Sequence, residues 1–75
     1  MQRKVYHVTK QGDQWKATER HASRASIAAE TKAMVVKQTV AMAKRQQPSQ
    51  VVIHKENGVI QEERTFGQDP EKYPG

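Results

Sequence analysis

Three histidines, His7, His21 and His54, are the side chains best suited to hold a metal or move a proton near neutral pH. None stands three residues from another His or from a Glu, the spacing that pairs ligands on a helix. His7 and His54 fall inside strand-like runs and could become neighbours across a sheet. Two imidazoles without a fixed third ligand make a poor zinc site, so no metal or other cofactor is expected. Ser23 and Ser26 flank Arg24 without a Gly-x-Ser-x-Gly elbow or an assigned base, so a serine nucleophile is not expected. The chain has no cysteine, which excludes disulfides, thiolate metal sites and cysteine nucleophiles. Its four glycines are isolated, so no phosphate-cradling loop is present. These absences point away from an enzyme and towards a binding role.

The chemistry that remains is charge. The 75 residues carry 13 Lys and Arg against 8 Asp and Glu, a formal +5. The excess is uneven: residues 1–55 hold eleven cations and three acids, whereas residues 56–75 hold two cations and five acids. A basic body with an acidic end suits contact with a polyanion. The candidate contact residues are Lys16 and Arg20 on a strand, Arg24 in a loop, and Lys37, Lys44 and Arg45 on a helix. The aromatic ladder of single-strand binders is missing, because Tyr6 and Trp15 are needed to fill the core of a chain that has no leucine.

The elements that must carry these residues follow from periodicity. Residues 4–9 are β-branched and aromatic, Lys10–Asp13 supply a turn, and residues 15–20 alternate, so a hairpin is expected. Residues 21–30 break the alternation and read as a loop from sheet to helix. Thr31 is an N-cap candidate, and a helical period runs from there to about Gln46. Ala33, Val36, Val40 and Ala43 form its expected inward stripe, flanked by Val35, Thr39 and Met42; Lys37, Gln38, Ala41, Lys44 and Arg45 lie opposite. Residues 51–55 form the strongest strand, Asn57-Gly58 a hairpin turn, and residues 59–66 the return strand.

The expected class is α+β with order β-β-α-β-β: one amphipathic helix on one face of a four-stranded, largely antiparallel sheet. Residues 1–67 make this single domain, and residues 68–75 a loosely held tail. Trp15, Val36, Val40, Ile53 and Ile60 should be buried, with Ala17, Ala33 and Ala43 letting the helix approach. The other sheet face stays open, with Lys16, Thr18, Arg20, His7 and His54 available to line it.

The segments Tyr6-His-Val-Thr, Ala22-Ser-Arg-Ala-Ser26, Thr31-Lys-Ala33 and Asn57-Gly-Val-Ile-Gln-Glu-Glu-Arg-Thr-Phe-Gly-Gln-Asp-Pro70 together resemble a small bacterial family, domain of unknown function 2188 (DUF2188). The most specific part is the ending, carried here by Glu62, Glu63, Arg64, Gly67, Asp69 and Pro70. Family members often place a Glu three residues after the capping Thr; this chain has Met34 there. The resemblance implies a fold and no activity. By strand alternation Glu62 and Arg64 share a face with Ile60 and Phe66, so they are expected to pair as a charged guard on a sheet edge. Phe66 should anchor the strand and Gly67 turn the chain away with positive φ.

Two functions fit. The first is a small basic binding module touching nucleic acid weakly and without sequence preference through the open sheet face. The second is a protein–protein adaptor or inhibitor acting through a sheet edge or the tail. The N-terminus lacks the apolar core of a secretory signal, and no apolar run approaches the ~20 residues of a membrane span. A cytoplasmic monomer or homodimer without membrane contact is expected.

Overall fold

A computed structural model of the chain describes residues 3–67. Five strands and one helix follow in the order β1 (Lys4–Gln11), β2 (Gln14–Glu19), β3 (Ala25–Ala29), α1 (Lys32–Arg45), β4 (Ser49–His54) and β5 (Ile60–Phe66). They form an α+β domain with one five-stranded sheet in the order β3-β2-β1-β4-β5. The expectation of four strands is corrected: residues 25–29, read as loop, are a fifth strand antiparallel to β2. The sheet is also mixed, because β1 and β4 run parallel at its centre. The three remaining pairings are antiparallel.

The central place of β4 has a visible cause. Val51, Val52 and Ile53 are consecutive and all buried, the continuous apolar run of a central strand flanked by a neighbour on each side. Under the helix, β1 contributes Tyr6 and Val8, β2 contributes Trp15 and Ala17, and β4 contributes Val51 and Ile53. On the opposite face Val5 and Val52 are also buried, so that face has a small apolar centre of its own.

Thr31 caps α1 as expected: its backbone is extended and its Oγ1 accepts the Met34 amide at 3.3 Å. The inward stripe is rotated from the expected one. Val35, Thr39 and Ala43, spaced i, i+4, i+8, are the buried positions. Val36 and Val40 are half-buried, and Ala33 is exposed. The rotation follows from where the helix lies: α1 packs on β1, β2, β3 and β4 and leaves β5 uncovered. Beyond the helix, Ser49 Oγ donates to the Ala43 carbonyl at 2.6 Å and Tyr6 Oη donates to Gln46 Oε1 at 2.9 Å, tying the helix end to the sheet.

Ile60 is the second core correction, at 50% exposure. Ile53 pairs with Glu62 but His54 pairs with Ile60, so Gln61 is an extra residue in β5. The bulge breaks the alternation and sets Ile60 beside His54, away from the helix. Phe66, past the bulge, does pack against the core. Gly67 has φ +112°, and a Cβ there would stand 2.9 Å from the Pro48 Cα, so both conformation and space call for glycine. The expected tail, residues 68–75, with Asp69 and Pro70, lies outside the described residues.

Candidate functional site

Because α1 stops short of β5, a groove of about 630 Å³ opens between them. Ala33 and Val36 of α1 and Ile53 of β4 give it apolar walls. Lys32 and Lys37 line it from the helix, and Gln61, Glu62 and Arg64 from β5. Arg64 Nε donates to Glu62 Oε2 at 2.7 Å, and with the two side chains 45% and 42% exposed this ion pair is solvated. Lys32 Nζ contacts Gln61 Oε1 across one end and lies 5.1 Å from the centre of the Trp15 ring. Lys44, two turns beyond Lys37 on the same side of the helix, holds its ammonium 5.9 Å from the Phe66 ring centre.

The electrostatics of the groove come from the helix. Lys32, Lys37, Lys44 and Arg45 are its charged residues, and it carries no acid. Among the described residues Glu62 is the single acid lining the groove, and it is paired with Arg64.

The open sheet face is built differently. Strand alternation places Lys16 and Thr18 of β2 on it with Val5, His7 and Thr9 of β1, and register adds Gln50, Val52 and His54 of β4. Arg20 follows directly, its amide donating to the Val5 carbonyl at 2.8 Å. Glu63 of β5 stands opposite Val52, and its Oε1 accepts from Gln50 Nε2 at 2.8 Å. The six sequence-derived cations are therefore divided. Lys16 and Arg20 lie on the open face, Arg24 precedes the β3 edge, and Lys37, Lys44 and Arg45 stand on α1.

His7 and His54 do become neighbours. His7 Nδ1 and His54 Nε2 are 3.0 Å apart, and His54 Nδ1 lies 2.9 Å from the Gly58 carbonyl. That carbonyl can only accept, so His54 carries its proton on Nδ1 and offers a lone pair on Nε2. His7 must then donate from Nδ1. Burial first, then His54 and Arg20, hold the His7 pKa below 6.5, while Glu63 pulls the other way. Among the described residues no three or more His, Cys, Asp or Glu side chains gather as a metal cluster.

A family profile of uncharacterized proteins conserved in bacteria (DUF2188) matches residues 6–66. The chain belongs to DUF2188. No curated protein and no solved structure matches it. The profile spans β1 through Phe66, so the groove and the histidine pair of this DUF2188 chain both lie within the family's common region. No helix of the described residues is long and apolar enough to cross a membrane.

What sequence reasoning missed at the groove was Lys32, hidden in the first turn as an ordinary solvated lysine. Its position became meaningful once Gln61, the bulge residue, stood across from it. Residues that meet only through tertiary placement leave no local signal.

Proposed function

We propose that this DUF2188 protein is a non-catalytic binding module that makes weak, sequence-independent contact with nucleic acid, and that the contact runs along α1 and its groove. The observation that carries this reading is the acid-free helix: Lys37 and Lys44 share one side of it, Arg45 follows, and Arg64 of β5 lines the groove with Lys37. Phosphates need such clustered cations, and counterion release supplies most of the affinity of non-specific binding. The open sheet face, first candidate from sequence, offers less. Its Lys16 and Arg20 are offset by Glu63, and its centre is apolar. Trp15 is buried and Phe66 lies under Lys44, so neither serves as a base-stacking platform. Affinity without base preference follows.

The test is fluorescence anisotropy with unrelated DNA and RNA oligonucleotides over a salt series. Lys37→Ala with Lys44→Ala should weaken binding equally for all sequences and reduce the salt slope by about two units, roughly one per phosphate contact. Lys16→Ala with Arg20→Ala should change it less. The reverse ranking would return the contact to the open face, and no binding at low salt would end the proposal.

A second reading keeps one specific support. β3 and β5 are outer strands, each paired on one side only within the sheet, so either could accept a strand of a partner protein. Such an adaptor contact would persist at salt concentrations that abolish phosphate binding.

A further inference from the structure

We propose that the groove between α1 and β5 takes one unpaired base of a single-stranded nucleic acid, so that the protein favours single strands over duplexes, a reading that rests on the phosphate contact proposed for the same groove. The lining carries the assignment. The groove holds about 630 Å³, and its walls are aliphatic where a flat base would lie: Ala33 and Val36 on the helix and Ile53 on β4. Ile53 is buried and Ala33 exposed, so the apolar strip runs from floor to rim. A sugar–phosphate chain alone has no use for such a strip. A base does, because every base has an apolar face.

Arg64 completes the pocket from β5. Glu62 stands opposite Ile53 and Arg64 opposite Val51, two residues buried under α1, so both charged side chains are on the helix side of the strand. Arg64 Nε donates to Glu62 Oε2 at 2.7 Å, a bond made in the guanidinium plane, and the side chain remains 45% exposed. The flat faces of the guanidinium are left to stack on a base, and its charge remains at the rim for a flanking phosphate. The same bond offsets the repulsion that Glu62 would exert on that phosphate. Lys37 lines the groove, and Lys44 continues the positive track along the helix. At one end Lys32 Nζ contacts Gln61 Oε1 and bounds the strip. Among the described residues none of the lining side chains is aromatic, so one base is held and no stacked run of them.

A duplex cannot use this pocket. Its bases are paired and stacked inside, and only its phosphate ridge meets α1. Electrostatics alone favours the duplex, whose charge density is higher and whose salt slope is about 0.9 per phosphate neutralised, against about 0.7 for a single strand. A preference for single strands therefore reports the apolar strip and not the cations.

The experiment is fluorescence anisotropy of the intact chain at one low salt concentration, with three probes of equal length. They are an oligothymidylate single strand, its duplex with oligoadenylate, and an abasic strand with the same phosphates. The single strand should bind at least about fivefold more tightly than either other probe, the lower bound for one stacked base. Ala33→Leu, which fills the groove from an exposed helix position without altering charge, should remove that preference. Thermal melting verifies that the variant folds, and Ala33→Met takes its place where it does not. A duplex or abasic strand bound as tightly as the single strand overturns the base pocket, and so does a preference that survives the filled groove. In either case, binding that Lys37→Ala with Lys44→Ala still weakens leaves the phosphate contact standing without it. Absence of binding by all three probes overturns both.

Discussion

The two outer strands of the sheet face the same problem and meet it in different ways. β3 is five residues long, Ala-Ser-Ile-Ala-Ala, and carries no charge. β5 is seven residues long, and its middle is Gln-Glu-Glu-Arg. The helix covers β3, so Ile27 and Ala29 pack against the core, whereas β5 packs there through Phe66 at its end and is otherwise left bare. Both strands contain an irregularity, at the Ala17/Thr18 step of the β2–β3 ladder and the Ile53/His54 step of the β4–β5 ladder. A short bulged edge under a helix needs no charges to resist unwanted pairing; a longer, uncovered one does. The difference also explains the groove: the side of the helix that leaves β5 bare is the side where a ligand can enter.

The sharpest way to break this comparison is at the point where β5 is fastened. Gly67 combines a positive φ with a backbone approach to Pro48 that a Cβ would obstruct at 2.9 Å. Gly67→Ala should therefore destabilise the fold by about 2–4 kcal/mol, from backbone strain and displacement of the strand end together. Hydrogen exchange should report faster opening in β5 than in β3. Equal loss of protection at both edges would show that the strands are not held independently.

The β3 side is probed through the helix. Val35 is fully buried, whereas Val40 is half-buried on the side nearer the groove. Val35→Ala should cost about 2–3 kcal/mol and Val40→Ala about half of that, measured as shifts of the urea midpoint. A larger loss at Val40 would restore the stripe expected from apolar periodicity alone.

That stripe shows where legibility ended. The hairpins, the Thr31 cap and the helix limits were readable because turn chemistry, capping and period are local. The rotation of the helix was not. Its innermost stripe includes Thr39, a residue that an apolar count passes over, and its facing surface includes Ser49, also fully buried. β3 was missed because alanine and serine have little strand preference; pairing with β2 and cover from α1 make it a strand. The parallel β1–β4 pair and the Gln61 bulge are products of assembly and have no signature within one segment. At the site, the proximity of His7 and His54 was readable as a possibility from two strand positions, but the orienting carbonyl of Gly58 was not.

Between the two edges, on the open face, pH should act through His7. Its pKa in the folded chain lies below 6.5, chiefly because of burial, with His54 and Arg20 adding to the effect. The unfolded chain takes up this proton near 6.5, so between the two values it binds more protons than the folded one. Stability contributed by neutral His7 is fully present above the unfolded value and falls as pH decreases through this window. Denaturation midpoints from about pH 7.5 to about pH 5 should decline, and His7→Gln should flatten that decline relative to His21→Gln. A profile unaffected by the His7 substitution would separate the ring pair from folding stability.

The smallest effect on stability is expected at the charged centre of β5. Arg64 and Glu62 are joined at 2.7 Å, but both side chains keep more than two-fifths of their exposure. Water screens such a pair, so Arg64→Ala should cost no more than about 1 kcal/mol, and a double-mutant cycle with Glu62→Ala should return a coupling of about 0.2–1 kcal/mol that shrinks in salt. Stability alone does not exhaust the role of the pair, because Arg64 also lines the groove opposite Lys37. If the edge charges serve only to keep β5 from pairing, Arg64→Ala should leave oligonucleotide affinity intact and increase aggregation. If Arg64 belongs to the phosphate-binding surface, affinity should fall with a salt slope lower by about one unit while stability changes by no more than about 1 kcal/mol. The second outcome is the one expected here, since the arginine faces an acid-free helix across an open groove and Glu62 leaves it solvent-exposed. Guarding an edge and presenting a cation are then served by the same residue, and the uncharged β3 provides the control: Ala28→Lys should alter neither folding nor the groove's affinity.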